Sequence, residues 1–306
     1  MARRKVLVTG AAGMVATQFL PGLRERYDLV LIGHSKTVDV DGNPVDGIQL
    51  VELTDPDRSK YQHLFEGVDS VVHMGHVPHR GEPLDHFYIE QLNIQMGYNV
   101  LRSSYEAGVR RVVFGTSNHA ADWYEHNLVH TRKMDVVEPY TYPLSDNFYG
   151  WAKISLEAMG HLFACGFPSF TLPSGREWLL SGINPGRKMG VIMLRIGHPR
   201  ELIPENYNND PEVYKRVLGC YLSARDLTQL TIKSIETENI DNEHGVPWHI
   251  FYCISDNTRA FWSLSNARRV VGYEPEDDSE VRFAHYIKGF ITGDDASGGV
   301  GRVGLK

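Results

Sequence analysis

The sequence predicts an α/β fold, a Rossmann-type doubly wound parallel sheet carrying a smaller C-terminal substrate-binding lobe. Three observations predict it. Short apolar runs recur between turn residues: KVLVTG at 5–10, LVLIG at 29–33, SVVHMG at 70–75, RVVFGTS at 111–117 and VIMLRIG at 191–197. They are β-branched and apolar on both faces, as strands buried inside a parallel sheet must be. Helix-like segments alternate with them, notably 84–108 and 148–166, the second closing on a glycine. The first strand also runs into a glycine-rich turn, VTGAAGMVA.

Each part of that layout follows from local chemistry. Residues 1–197 are read as the dinucleotide-binding domain. Residues 198–306 are read as mainly the substrate lobe, with 225–255 returning to the sheet. FPSFTLPSGREWLLSGINPGRK at 167–188 is rich in Pro, Gly and Ser, which suits an inserted loop better than a crossover. Pro21 and Gly22 fall in the first helix and predict that it is kinked or short. The tail from 293, GDDASGGVGRVGLK, reads as flexible.

Bulk composition excludes several classes. The chain has 306 residues, 42% of them hydrophobic, enough for one large core or a core with a lobe. A net charge of -7 leaves no basic surplus for nucleic acid. No run of 18 apolar residues exists, so no membrane partner is expected. MARRKVLVTG leads with basic residues straight into a strand, without a signal-peptide core. The three cysteines, Cys165, Cys220 and Cys253, are odd in number and widely spaced, which makes no disulfide framework. A cytoplasmic protein is expected.

In the glycine turn, Gly10, Gly13 and Ala16 stand at spacing G-x-x-G-x-x-A. A glycine at the strand end permits the sharp turn, and the next lets backbone approach a pyrophosphate at the helix N-terminus. The third position needs only a small residue. A plain tight βα turn would use glycine too, so the motif gains weight from its place at the first strand. Further on, DNFYGWAK sets Tyr149 and Lys153 four apart, on one face if helical.

Together with GTSNHA, HMG at 73–75 and Asn93, these elements resemble the short-chain dehydrogenase/reductase superfamily in its extended, epimerase/dehydratase-like branch. The resemblance spans most of residues 4–290. SNH at 117–119 and RIG at 195–197 are most similar to uronate dehydrogenases and related sugar dehydrogenases. It implies Ser117, Tyr149 and Lys153 as catalytic residues. A phenol with a pKa near 10 is a poor base, but an ammonium nearby and a positively charged nicotinamide favour the phenolate. Tyr149 would then take a substrate proton as hydride leaves the same carbon. Ser117 would hold the oxygen.

The resemblance implies a cofactor site of Gly10, Ala12, Gly13, Met14, Val15, His34, Ser35, Lys36, Glu52, Leu53, Met74, Gly75, His76, Asn93, Thr116, Tyr149, Lys153 and Ile196. For the substrate it implies Ser117, Asn118, His119, His198 and Arg216, the arginine gripping a carboxylate. NAD-preferring relatives end the second strand in an acid. Here Gly33 stands there, followed by His34, Ser35 and Lys36, which makes NADP as well as NAD acceptable and tilts the expectation to NADP. Asp39 and Asp41 could supply the acid instead. The serine-then-Asp-Glu pattern of the dehydratases is absent after Thr116, which disfavours dehydration. A serine after RIG is His198 here, one after HMG is Pro78, and the 167–188 loop is extra. Its Arg176, Trp178, Arg187 and Lys188 could cover the site. His73, His76 and His79 are spaced three apart and could bind zinc, but their place in the strand and cofactor motif favours no metal site. The expected activity is NAD(P)-dependent oxidation of a hydroxyl or lactol carbon in a sugar or uronate-like sugar acid. The rivals are a nucleotide-sugar epimerase that retains its cofactor and a non-catalytic nucleotide sensor. The branch also implies a homodimer through helices 84–108 and 148–164.

Overall fold

In the computed structural model, which describes residues 3–178, 183 and 186–292, seven parallel strands form the central sheet. They are β1 (Lys5–Thr9), β2 (Asp28–Gly33), β3 (Ile48–Leu50), β4 (Ser70–His73), β5 (Arg111–Ser117), β8 (Gly190–Ile196) and β9 (Trp248–Cys253). Their order is β3-β2-β1-β4-β5-β8-β9. The strand order reverses at β1, where β2 and β4 lie on opposite sides. That reversal opens a crevice at the carboxyl ends of the strands, where open α/β sheets bind ligands. The doubly wound sheet expected from the strand runs is present.

The strands are buried because both faces carry helices. α1 (Met14–Arg26) and α6 (Ala224–Glu236) pack on one face, and α2 (His86–Glu106) and α4 (Phe148–Cys165) pack together on the other. Two apolar cores result, one around Val6, Val8, Phe19, Leu23 and Phe251, the other around Leu7, Val71, Val100, Phe114 and Leu156. Adjacent residues of β1 thus feed opposite cores, as the two-residue period of a strand requires.

α1 corrects the expectation of a short helix. It runs unbroken through Pro21 and Gly22 for 13 residues. Pro21 faces solvent. A Cβ at Gly22 would lie 2.6 Å from Thr228 Cγ2 on α6, so the glycine lets the two helices approach. Tertiary packing overrides the local penalty here.

α4, which carries the tyrosine–lysine pair, is framed at both ends. The Asn147 side chain accepts from the Gly150 amide at 2.8 Å, and Gly166 closes the helix in the left-handed region at φ 72°. Before it, β5 passes through a 3-10 turn at Asn118–Ala121, a short turn α3 (Asp122–Tyr124) and a π-helical turn at Glu125–Val129. After it, a small antiparallel hairpin of β6 (Phe170–Thr171) and β7 (Glu177–Trp178) stands within the inserted segment, the rest of whose 179–185 stretch lies largely outside the described residues. The tail from 293 lies wholly outside them.

The remaining elements are α5 (Pro211–Cys220), α7 (Ser265–Val271), α8 (Ser279–Arg282) and α9 (Ala284–Thr292). A third, smaller core joins Leu202, Tyr214, Leu218, Tyr221 and Phe283 around α5 and α8. Residues 224–253 return to the sheet as α6 and β9. Among the described residues no helix is long and apolar enough to cross a membrane.

Candidate active site

A cleft of about 2170 Å³ opens along the carboxyl ends of the strands, from β2 past the β1–α1 turn to α4 and the loop after β8. Every residue expected at the cofactor or substrate lines it except Asn93, Asn118 and Arg216.

At one end, the β1–α1 turn is shaped by its glycines. Gly10 sits at φ 66°, and a Cβ there would lie 2.7 Å from the Met74 carbonyl and 2.8 Å from the Gly75 amide nitrogen. The β1 and β4 turns therefore touch backbone to backbone, which only glycine allows. Gly13 caps α1 with no side-chain bond, and the first turn of that helix holds no acid. Its free amides and the positive end of the helix dipole suit a pyrophosphate.

The adenosine end is also legible. A Cβ at Gly33 would lie 2.7 Å from Ile48 Cδ1, so the acid expected there would need that side chain to shift. Glu52 instead pairs with His34 at 2.8 Å and accepts from the Thr54 amide and hydroxyl at 3.0 and 2.6 Å. Neither Asp39 nor Asp41, which could supply the missing acid, lines the cleft. The Asp39 carboxylate is held by the Asn43 backbone at 2.7 Å and its side-chain amide at 3.1 Å. These residues fit a dinucleotide by glycine cradle and uncapped helix start.

At the reacting end, Tyr149 and Lys153 share one face of α4, with the Lys153 ammonium 5.0 Å from the centre of the tyrosine ring. Lys153 is buried and Tyr149 partly exposed to the cleft. One turn further on, buried Glu157 accepts from Arg195 at 2.8 and 2.7 Å and from Thr116 at 3.1 Å, while Arg195 also donates to the Tyr252 hydroxyl. This network ties α4 to the ends of β5 and β8, so the helix carrying the pair cannot drift relative to Ser117. Such a buried pair is well suited to fixing register.

The substrate side departs more from expectation. Ser117 lines the cleft, its hydroxyl donating to Asn118 Oδ1 at 3.3 Å and accepting from the His119 amide at 3.3 Å. Asn118 itself is buried behind the serine, where it orients that hydroxyl. His119 stands edge-on to Tyr149, ring centres 5.4 Å apart, and its Nδ1 bonds the buried Asp122 carboxylate. His198 bonds the Tyr207 hydroxyl at 2.6 Å. Burial, then Arg200 and Arg216, lower its pKa to about 4, so its imidazole is neutral.

Two further expectations are corrected. Arg216 does not reach the cleft: its guanidinium is locked on the fully buried Glu125 carboxylate, through Nε and through Nη2 at 3.2 Å. A buried carboxylate requires such a partner. Arg187 donates to the Ser104 and Tyr105 carbonyls and Lys188 to the Gly245 carbonyl, so neither covers the site. Arg176 and Trp178 are exposed and away from the cleft. Asn93 lies buried under the loop after β4, receiving the Val77 amide at 2.7 Å and donating to its carbonyl at 3.1 Å. It positions that loop. Sequence reasoning missed Arg80, Arg200, Asp146 and Phe87, which line the cleft from loops or a helix flank without any motif.

Comparison with known proteins agrees with this geometry. The NAD-dependent glucose-6-phosphate dehydrogenase of Haloferax volcanii is 26% identical over 283 residues, 90% of this chain and 94% of that protein. The L-arabinose 1-dehydrogenase (NAD(P)(+)) of the same organism is 27% identical, over 90% of this chain and 97% of that protein. The crystal structure of uronate dehydrogenase from Agrobacterium tumefaciens shares the fold at TM-score 0.67 and 23% identity, covering 94% of this chain and 90% of that one. The NAD dependent epimerase/dehydratase family matches residues 6–167. The chain belongs to that family, as its motifs implied, and is an enzyme of its nicotinamide-dependent dehydrogenase kind.

Proposed function

We propose that the protein oxidises the lactol or a hydroxyl carbon of a sugar, with NAD or NADP as acceptor. The observation that carries this reading is the placement of Tyr149 and Lys153 on one face of α4, in one cleft with Ser117 and the glycine turn. The nicotinamide nucleotide, when bound, supplies the hydride acceptor. Tyr149 takes the proton of the sugar hydroxyl through its phenolic oxygen. Lys153 lends the positive charge that this transfer needs. Ser117, placed by Asn118 and the His119 amide, turns its one hydroxyl hydrogen from Asn118 Oδ1 to the same sugar oxygen. His119, aimed by Asp122, and neutral His198 offer hydrogen bonds to the other hydroxyls.

The relatives named for sugar oxidation support a sugar substrate. Arg216 narrows it: with its charge committed to Glu125, a uronate carboxylate has no free guanidinium at that position. We therefore expect aldoses to be turned over better than uronates. Tyr88 and Tyr98 on α2 and Trp151 and Leu162 on α4 are exposed apolar side chains on the helices expected to pair two copies, which supports a homodimer.

The test is absorbance of reduced nicotinamide on giving the purified protein NAD or NADP with a panel of aldoses, uronates and sugar phosphates. Turnover of an aldose bears the reading out. Cofactor binding with no turnover across the panel would sink it in favour of the epimerase or the sensor, and tightly retained cofactor would select the epimerase.

A further inference from the structure

The loop after β4 and the second turn of α2 bring His79 and Glu90, which hydride transfer does not use, beside His76 of the expected cofactor site. Glu90 is fully buried, with its carboxylate bonded by His79 Nε2 and by Asn93 Nδ2 at 3.3 Å. No lysine or arginine pairs with it among the described residues. A fully buried carboxylate with only a histidine and an amide for partners is a costly feature unless more positive charge is brought to it. A second imidazole converges on the same point: ligand atoms of His76, His79 and Glu90 all lie within 4.8 Å of one another.

We propose that His76, His79 and Glu90 form a binding site for a divalent transition-metal ion of the zinc class, whose occupancy competes with the sugar. Two imidazoles and one carboxylate are a ligand set that zinc accepts, with a fourth position left open. In tetrahedral geometry the ligand atoms stand roughly 3.3 Å apart for bonds of about 2.0 Å. Side-chain rotation closes the observed spacing, because His76 and His79 sit on a loop and each has an edge open to the cleft. His76 is exposed at the cleft wall.

Support behind the ligands is already built. Asn93 holds the Val77 peptide, which lies between the two histidines, by both its amide and its carbonyl, and the same side chain steadies Glu90. Outer groups of this kind orient metal ligands. The rings of His76 and His79 stand 5.2 and 5.7 Å from that of Tyr149, so an ion here would occupy the approach of the sugar to the tyrosine.

The experiment titrates the tag-free full chain with Co²⁺ and follows its visible absorption, then displaces it with Zn²⁺. One equivalent is expected to give a band of low-coordinate cobalt. His79→Ala and Glu90→Gln should each weaken binding by at least about tenfold. His126→Ala, which empties the other carboxylate-rich group of Asp122, Glu125 and His126 of its imidazole, should leave the band unchanged. No band in the wild type, a band that persists in His79→Ala, or one lost in His126→Ala would overturn the site. If Glu90→Gln fails to fold, His79→Ala still decides, since its side chain is partly exposed. The competition rests on the sugar-dehydrogenase reading: zinc should raise KM for the sugar. Turnover indifferent to zinc would overturn the competition, while the cobalt band judges the site by itself.

Discussion

The two ends of the cleft are built by different means. The cofactor end is made of backbone: Gly10 packed on the Met74 and Gly75 peptides, the uncapped amides of α1, and the parallel register of β1 with β2 and β4. The sugar end is made of side chains on loops and turns, held by pairs such as His119 with Asp122, His198 with Tyr207 and Arg216 with Glu125. Backbone geometry admits few residue types, so it constrains the sequence tightly. A side-chain pair can be exchanged for another of different charge, so the sugar end can change substrate while the fold and the hydride chemistry stay put.

If that contrast holds, chemistry and specificity should separate under mutation. Tyr149→Phe is expected to reduce kcat by about a thousandfold, the usual scale of a lost general base, with cofactor affinity nearly intact by fluorescence titration. The phenyl ring keeps its contacts with His76, His79 and His119, so a folding defect is not expected. Turnover within tenfold of the wild type would remove the tyrosine from the mechanism.

Arg216→Ala probes the other end and should act on stability. It strips the buried Glu125 carboxylate of Arg216 and, among the described residues, leaves it His130, at 3.1 Å. Breaking such a pair costs about 3 kcal/mol, read as a lower urea midpoint. Replacing both members with Glu125→Leu and Arg216→Met should recover much of the loss, because two apolar side chains leave no charge unpaired. A selective rise in KM for uronates, with stability unchanged, would restore the arginine to the sugar site and contradict the comparison drawn above.

What was legible in the sequence follows the same line. The strand runs, the glycine turn and the Tyr149–Lys153 spacing were readable because local periodicity and steric need determine them. The Arg216–Glu125 pair was not, since its partners lie 91 residues apart and the π-helical turn holding Glu125 has no sequence signature. Pro21 misled for the converse reason: its local cost is real, but α1 is held by its packing on α6, which only the assembled fold supplies. Arg80 and Arg200 reach the cleft from loops that carry no period at all.

The smallest expected effect lies at the adenosine end, where backbone and side chain meet. Gly33 is favoured by β3, since a Cβ there would press on the end of the Ile48 side chain and make it shift. Lys36 is not so constrained: it is exposed at the cleft rim, three residues beyond the strand. A 2′-phosphate would gain a charge-assisted contact from Lys36 that a free ribose hydroxyl would not. Lys36→Ala should therefore weaken NADP by about fivefold, a scale suited to an exposed, solvent-screened pair, and leave NAD within about twofold. The difference should shrink as salt is raised, because the contact is open to water. Equal weakening of both nucleotides would show that Lys36 acts through the shared part of the cofactor. No change in either would assign the choice of nucleotide to His34 and Ser35, which line the same rim.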